Sequence, residues 1–298
     1  MVIDFDDAST WEPELAARLQ HYVPARIRQQ LCNDPPEYVD DAWHKLRAAA
    51  DGRALIEATL QWIRENTVAA YHGTRLAAQD EAAIRRQGLR PLVAEERRSR
   101  LVRALECHPS WLEISGQLDA VLVDLGADLG AGQRVGQVHL TLSRAALVDE
   151  FNHYLAYGSE FDQHACRALL GKDGLQLLAR DGAATVLRVE VPGVLALRAA
   201  HSIFSIEDVL AKGSTPNIVR ELLTVWSYRL AYPAYLASKF KPDCGLRFDE
   251  VVPSAWITAF ERVEVGPHVS LRSQGDPANR LPPTTTTPHA PIEQAKEA

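Results

Sequence analysis

The residues able to do chemistry fall in a few short blocks. In the first, Ala70-Tyr-His-Gly-Thr74, an apolar step from Val68 to Tyr71 reads as a strand that delivers an imidazole, a glycine and a hydroxyl at its end. Glycine beside a polar side chain suits a place where ligand and backbone approach closely, although His72-Gly73-Thr74 is equally a plain strand-ending turn. The second block, Val138-His-Leu-Thr-Leu-Ser-Arg144, is a strand entering a helix. Its His139 can stack, donate a hydrogen bond or titrate near neutrality. Tyr154 and Tyr157 follow in His153-Tyr-Leu-Ala-Tyr-Gly-Ser-Glu160. An aromatic face attracts a cation by about 0.5 to 2 kcal/mol, and such tyrosines also serve as the buried stripe of an amphipathic helix. In the third block, Phe248-Asp-Glu-Val-Val-Pro253 and on to Val263, Glu250 is a carboxylate opening a strand or a solvated strand-end acid.

The elements that must position these blocks follow from periodicity. From Trp11 to about Asn66 the spacing of Leu15, Leu19, Tyr22 and Ile27 predicts three or four helices, broken at Pro35 and Pro36, with the last over Gly52 to Glu65. A short helix from Glu81 to Gln87 ends at Gly88 as C-cap. Ala94 to Leu129 is charged and helix-prone, Gly126 to Gly136 is a glycine-rich loop, and Gln137 to Leu142 is a strand. Helices are expected from Arg144 to Ala156, Glu160 to Leu170 and Ile206 to Phe240. Strands are expected over Ala184 to Val191, where Pro192-Gly193 turns the chain, and over Gly245 to Pro253 and Ile257 to Val265. From about Pro267 the chain is poor in apolar residues and carries Pro282-Pro283 and four threonines, which predicts a disordered tail over 267–298.

Composition narrows the function classes. The 298 residues are 46% hydrophobic and 24% charged, ordinary for a globular protein, and the net charge of −7 argues against a broad electrostatic grip on nucleic acid. Cys32, Cys107, Cys166 and Cys244 form no C-x-x-C pair, so neither a zinc ribbon nor a disulfide framework is indicated. No apolar run reaches membrane-helix length, and the acidic start MVIDFDDAST is unlike a secretory signal, so a soluble cytoplasmic protein is expected. The Gly126 to Gly136 loop does not spell the dinucleotide fingerprint G-x-G-x-x-G. With no H-E-x-x-H spacing, His153, His164 and His201 read as structural or surface residues.

In order and spacing, the blocks resemble the catalytic core of the ADP-ribosyltransferase superfamily, in both its diphtheria-toxin-like and poly(ADP-ribose) polymerase branches. There a strand ends in Tyr-His-Gly-Thr and a helix leads to Gly-Leu, here Gln87-Gly-Leu-Arg-Pro91. The resemblance covers about Val68 to Val265. It departs at His139, where those branches usually carry a tyrosine. It implies an α+β fold: a split, mostly antiparallel β core with helical insertions over 67–266, behind a helical N-terminal segment over 1–66. The implied substrate is NAD⁺, with His72 on the adenosine-side ribose, the Gly73 backbone at the nicotinamide amide and Thr74 shaping the turn. His139 would line the cleft, Tyr157, preferred because a glycine follows it, or Tyr154 would stack on nicotinamide, and Glu250 would stabilise the oxocarbenium-like ribose. No metal is called for. The acceptor stays open among protein, nucleic acid, small molecule and water, the last making a glycohydrolase. An RNA 2′-phosphotransferase, which uses basic residues where Glu250 stands, fits less well, and a degenerate fold serving as a binding module is the non-enzymatic alternative. A toxin or defence role, delivery to another cell, and a regulatory or antitoxin partner on the N-terminal helices belong to the same implication.

Overall fold

The computed structural model describes residues 1–127, 135–150, 152–201 and 203–265, and among these no helix is long and apolar enough to cross a membrane. The predicted tail over 267–298 and most of the glycine-rich loop lie outside the described residues. The fold is α+β, built on one six-stranded sheet. Its strands are β1 (Val2–Ile3), β2 (Thr67–Leu76), β3 (Val138–Thr141), β4 (Ala183–Pro192), β5 (Gly245–Phe248) and β6 (Ile257–Arg262). The order β5-β3-β2-β4-β6 is antiparallel throughout, and β1 joins the start of β2 in parallel, Val2 opposite Thr67.

β2 is the hub. All ten of its residues pair with β4, from Thr67 opposite Pro192 to Leu76 opposite Ala183. The pleat therefore sends Val68, Ala70, His72, Thr74 and Leu76 to one face and Ala69, Tyr71 and Gly73 to the other. On the first face lies the main core, where Val68, Leu187, Val189 and Leu246 meet the helices α1 (Glu12–Leu19), α2 (Ala25–Asn33), α3 (Ala42–Ala49) and α4 (Gly52–Arg64). α4 starts where Asp51 accepts hydrogen bonds from the Arg53 and Ala54 amides, and buries Leu55, Ile56, Leu60, Trp62 and Ile63 along one stripe. The first 66 residues thus open on a strand rather than a helix, and one core runs without a break from Ile3 and Trp11 to Trp226 and Val252.

Behind β2 come α5 (Ala78–Gln87), α6 (Ala94–Leu105), α7 (Trp111–Ile114) and α8 (Leu118–Ala127). The helix expected from Arg144 to Ala156 is two short ones, α9 (Arg144–Asp149) and α10 (His153–Tyr157), and the next, α11 (Glu160–Leu178), runs past Leu170 through a kink at Gly171. α6, α8 and α11 form a second core around Leu101, Leu105, Leu118 and Phe161. The helical stretch expected over Ile206 to Phe240 divides into α13 (Ile206–Ala211) and α14 (Asn217–Ala231), interrupted by Gly213 at φ 69 and Pro216, with a 3-10 turn at Ala237–Lys239.

Pro192-Gly193 starts a helix, α12 (Gly193–Ala199), where a turn was expected. Its first residue is pressed against the end of α4: a Cβ on Gly193 would lie 1.7 Å from the Ile63 carbonyl oxygen and 2.7 Å from that of Asn66. The Gly193 amide also donates to the Asn66 carbonyl at 2.8 Å. Backbone cannot yield as a side chain can, so Gly193→Ala should destabilise the fold by about 1–3 kcal/mol. Urea unfolding would register this as a lower midpoint at unchanged slope.

Candidate functional site

His72, Gly73 and Thr74 lie inside β2 and not at its end, because β4 pairs with the strand through Leu76. On the other edge of β2 the ladder to β3 consists of Tyr71 opposite Thr141. One residue beyond that pair, the His72 ring takes over the cross-strand contact, with Nδ1 2.9 Å from the His139 carbonyl oxygen. A carbonyl can only accept, so Nδ1 carries the proton and Nε2 of the neutral ring is left with a lone pair. Burial lowers the His72 pKa, the positive charge of Arg97 lowers it further, and the bond to the His139 carbonyl opposes both. A depressed histidine contributes stability that is full above its ordinary value and is lost as pH falls toward the folded value. Imidazole resonances should accordingly place His72 below the ordinary histidine range, and Arg97→Gln should move it upward.

Position 73 is glycine for a packing reason. A Cβ there would meet Leu147 Cδ1 of α9 at 2.8 Å, on the face opposite to His72. Thr74 is buried opposite Thr185 of β4 and so helps fill the sheet; it shapes no turn. His139 alternates out of register with His72. It pairs with Arg247 of β5, is exposed, and has Nε2 2.9 Å from Gln137 Oε1, so the two histidines occupy neighbouring strands but opposite faces. Tyr154 and Tyr157, the two stacking candidates, separate between two cores. Tyr154 packs with Tyr71, Leu147 and Leu155 and donates from its hydroxyl to Glu160 at 2.7 Å, whereas Tyr157 packs into the core of α6, α8 and α11.

Glu250 follows β5 by two residues and is exposed. Its position is set from the far side, where the amides and carbonyls of Val252 and Leu89 exchange two hydrogen bonds of 2.9 Å. Gly88 makes that approach feasible. Its φ is 84°, and a Cβ would sit 2.2 Å from the Val252 carbonyl oxygen. Four residues beyond Gly88, Leu92 bonds Gly136 and Gln137 at 2.7 and 3.3 Å, just ahead of β3. The Gly88-Leu-Arg-Pro-Leu92 segment therefore ties the chain beside Glu250 to the strand that bears His139.

Two sets of residues outside the predicted site support it. Asp4 is buried after β1 and accepts from the Tyr71 hydroxyl at 2.7 Å and Arg188 Nη1 at 3.1 Å, which anchors the residue before His72. Burial and then the Asp4 carboxylate push the Tyr71 hydroxyl pKa up. Asp6 caps α9 by accepting from Ser143 Oγ at 2.7 Å and from the Arg144 and Ala145 amides at 2.6 and 3.1 Å, with its pKa raised chiefly by burial.

The second set is cationic. Arg97, Arg100 and Arg103 recur every third residue along α6 and meet Asp162 and Asp181. Arg97 Nε donates to Asp162 Oδ1 at 2.8 Å, and its Nη2 reaches the other carboxylate oxygen. The Arg97 charge is felt at His72, which makes it the cation nearest in influence to the candidate site. The run Arg97-Arg-Ser-Arg-Leu-Val-Arg103 carried this signal in its i, i+3 spacing. Compared with family models, with curated proteins and with solved structures, this chain has no match in any of the three.

Proposed function

We propose that this chain is an ADP-ribosyltransferase that uses NAD⁺ and releases nicotinamide. The observation that carries the reading is topological: the blocks bearing His72, His139 and Glu250, far apart in sequence, lie on β2, on β3 and just past β5, which are successive neighbours in the sheet. The ladder between β2 and β3 gives way at His72, the place where a cleft between those strands would open.

In this reading the His72 Nε2 lone pair accepts a hydrogen bond from a ribose hydroxyl, and Arg97 lends positive charge to the diphosphate side. The bond from the ribose C1′ to the nicotinamide nitrogen breaks, and its electron pair leaves with nicotinamide. Glu250 offsets the positive charge left on the ribose. The acceptor attacks C1′ and loses its proton. Glu250 is exposed, so an acceptor can approach it directly. Tyr154 lies beside Tyr71 and Leu147, across the sheet from the His72 ring, and the Tyr157 ring belongs to the second core, so the geometry favours neither as the group that stacks on nicotinamide.

The test is to incubate the purified protein with NAD⁺ and follow nicotinamide, with and without cell extract. Release that needs extract supports transfer to a macromolecular or small-molecule acceptor, and release without it supports hydrolysis. No release under either condition leaves the fold as a binding module.

A further inference from the structure

Away from the candidate site, α3, α14 and the segment leading into β5 enclose a cavity of about 310 Å³. That volume is enough for a small molecule. Its charge is unbalanced. Asp40, Glu221 and Asp243 line it, against Arg220 and Lys241, with His44 exposed at the rim. Arg220 is already committed to Glu221, with Nε and Nη2 at 3.0 and 2.8 Å from Oε1, and the Lys241 ammonium is paired with Glu150 outside the cavity. Asp40 and Asp243 have no ion-pair partner among the described residues.

A second feature points inward. Thr224, one helical turn beyond Arg220 and Glu221 on α14, lines the cavity while only 6% exposed, and its hydroxyl has no hydrogen-bond partner among the described residues. The hydroxyl is open to the cavity, so a ligand donor can take the place of solvent on it. Glu221 is 5% exposed, with Oε2 served by the Asp243 amide at a long 3.3 Å. Burial raises the Glu221 pKa, so its negative charge is held at a cost that a neighbouring cation would offset. The Trp43 indole, fixed by Nε1 at 3.3 Å from Thr215 Oγ1, adds an aromatic wall.

We propose that this cavity binds a small organic cation through an ammonium or guanidinium group held by Asp40, Glu221, Asp243 and the Thr224 hydroxyl, with the Trp43 ring beside its hydrocarbon part. A cation is favoured over an anion because both lining cations are engaged while two carboxylates are not. The site does not depend on the transferase reading, since Asp243 precedes β5 and Glu250 follows it, at opposite ends of the strand.

Isothermal titration of the full chain with agmatine, which carries both groups, should give saturable one-to-one binding at physiological salt. Asp40→Asn and Thr224→Val should each weaken it about tenfold, the scale of one charge-assisted hydrogen bond. Succinate, a dianion of similar length, should give no saturable heat. Asp40 is exposed, so its substitution leaves the fold intact. No saturable agmatine binding at millimolar concentration overturns the proposal, as does unchanged affinity in the folded Asp40→Asn protein.

Discussion

Glu250→Gln is expected to reduce nicotinamide release from NAD⁺ by about 10²- to 10³-fold, the scale seen when one preorganised electrostatic group is removed from a transition state. The substitution keeps size and hydrogen-bonding shape but removes the charge that the ribose cation needs. Stability should be untouched, because the side chain is exposed and the backbone around it is held by Val252, Leu89 and Gly88, none of which changes. The loss should appear in kcat, since the charge on the ribose develops only as the bond breaks. His72→Ala should instead act mainly on KM, because a hydrogen bond to ribose exists before and during the reaction. Release at the wild-type rate by Glu250→Gln would remove Glu250 from the mechanism and with it the transferase reading. Unfolding midpoints of the two proteins, measured in parallel, separate a chemical loss from a structural one.

Much of this arrangement was legible in the sequence because it is local. The helix over Gly52 to Glu65, the Gly88 cap and the strand over Ala184 to Val191 each follow from side-chain period or from a backbone need that glycine meets. What escaped is set by distant partners. The strand carrying His72 is ten residues long because β4 pairs with all of it, and no local feature of Gly73 or Thr74 announces that. The face on which His139 emerges depends on the register of β3 against β2, which a one-residue slip would reverse. Tyr154 and Tyr157 could not be told apart because α10 is a five-residue helix wedged between two cores, each taking one ring. Asp4 and Asp6 read in the sequence only as acidic residues near the start of the chain. Their work in the fold, on Tyr71 and on α9, needs contacts across more than sixty residues.

Asp162→Ala should destabilise the protein by about 3–5 kcal/mol, the usual cost of stripping one partner from a buried ion pair. That is a large share of a typical domain's total. The carboxylate is fully buried, faces Arg97 and Arg100, and sits at the start of α11, where its own amide donates to Ser159 Oγ at 3.2 Å. Its removal would leave two guanidinium groups in the interior. Arg100 would suffer most, because it is itself buried and its Nε and Nη2 have no hydrogen-bond partner even with Asp162 only 3.4 Å away. Burial alone would raise the Asp162 pKa, but Arg97 and Arg100 outweigh it and hold the group below the ordinary carboxylate range. A depressed acid contributes stability that is present above its unfolded pKa and lost as pH falls through its folded pKa. The gap between wild type and Asp162→Ala should therefore be full at neutral pH and close only in strong acid. Denaturant unfolding at a series of pH values would test both parts, and a gap independent of pH would mean that side-chain packing outweighs charge. Because Asp162 neutralises Arg97, whose charge lowers the His72 pKa, the milder Asp162→Asn should push that pKa further down, the opposite of the effect of Arg97→Gln.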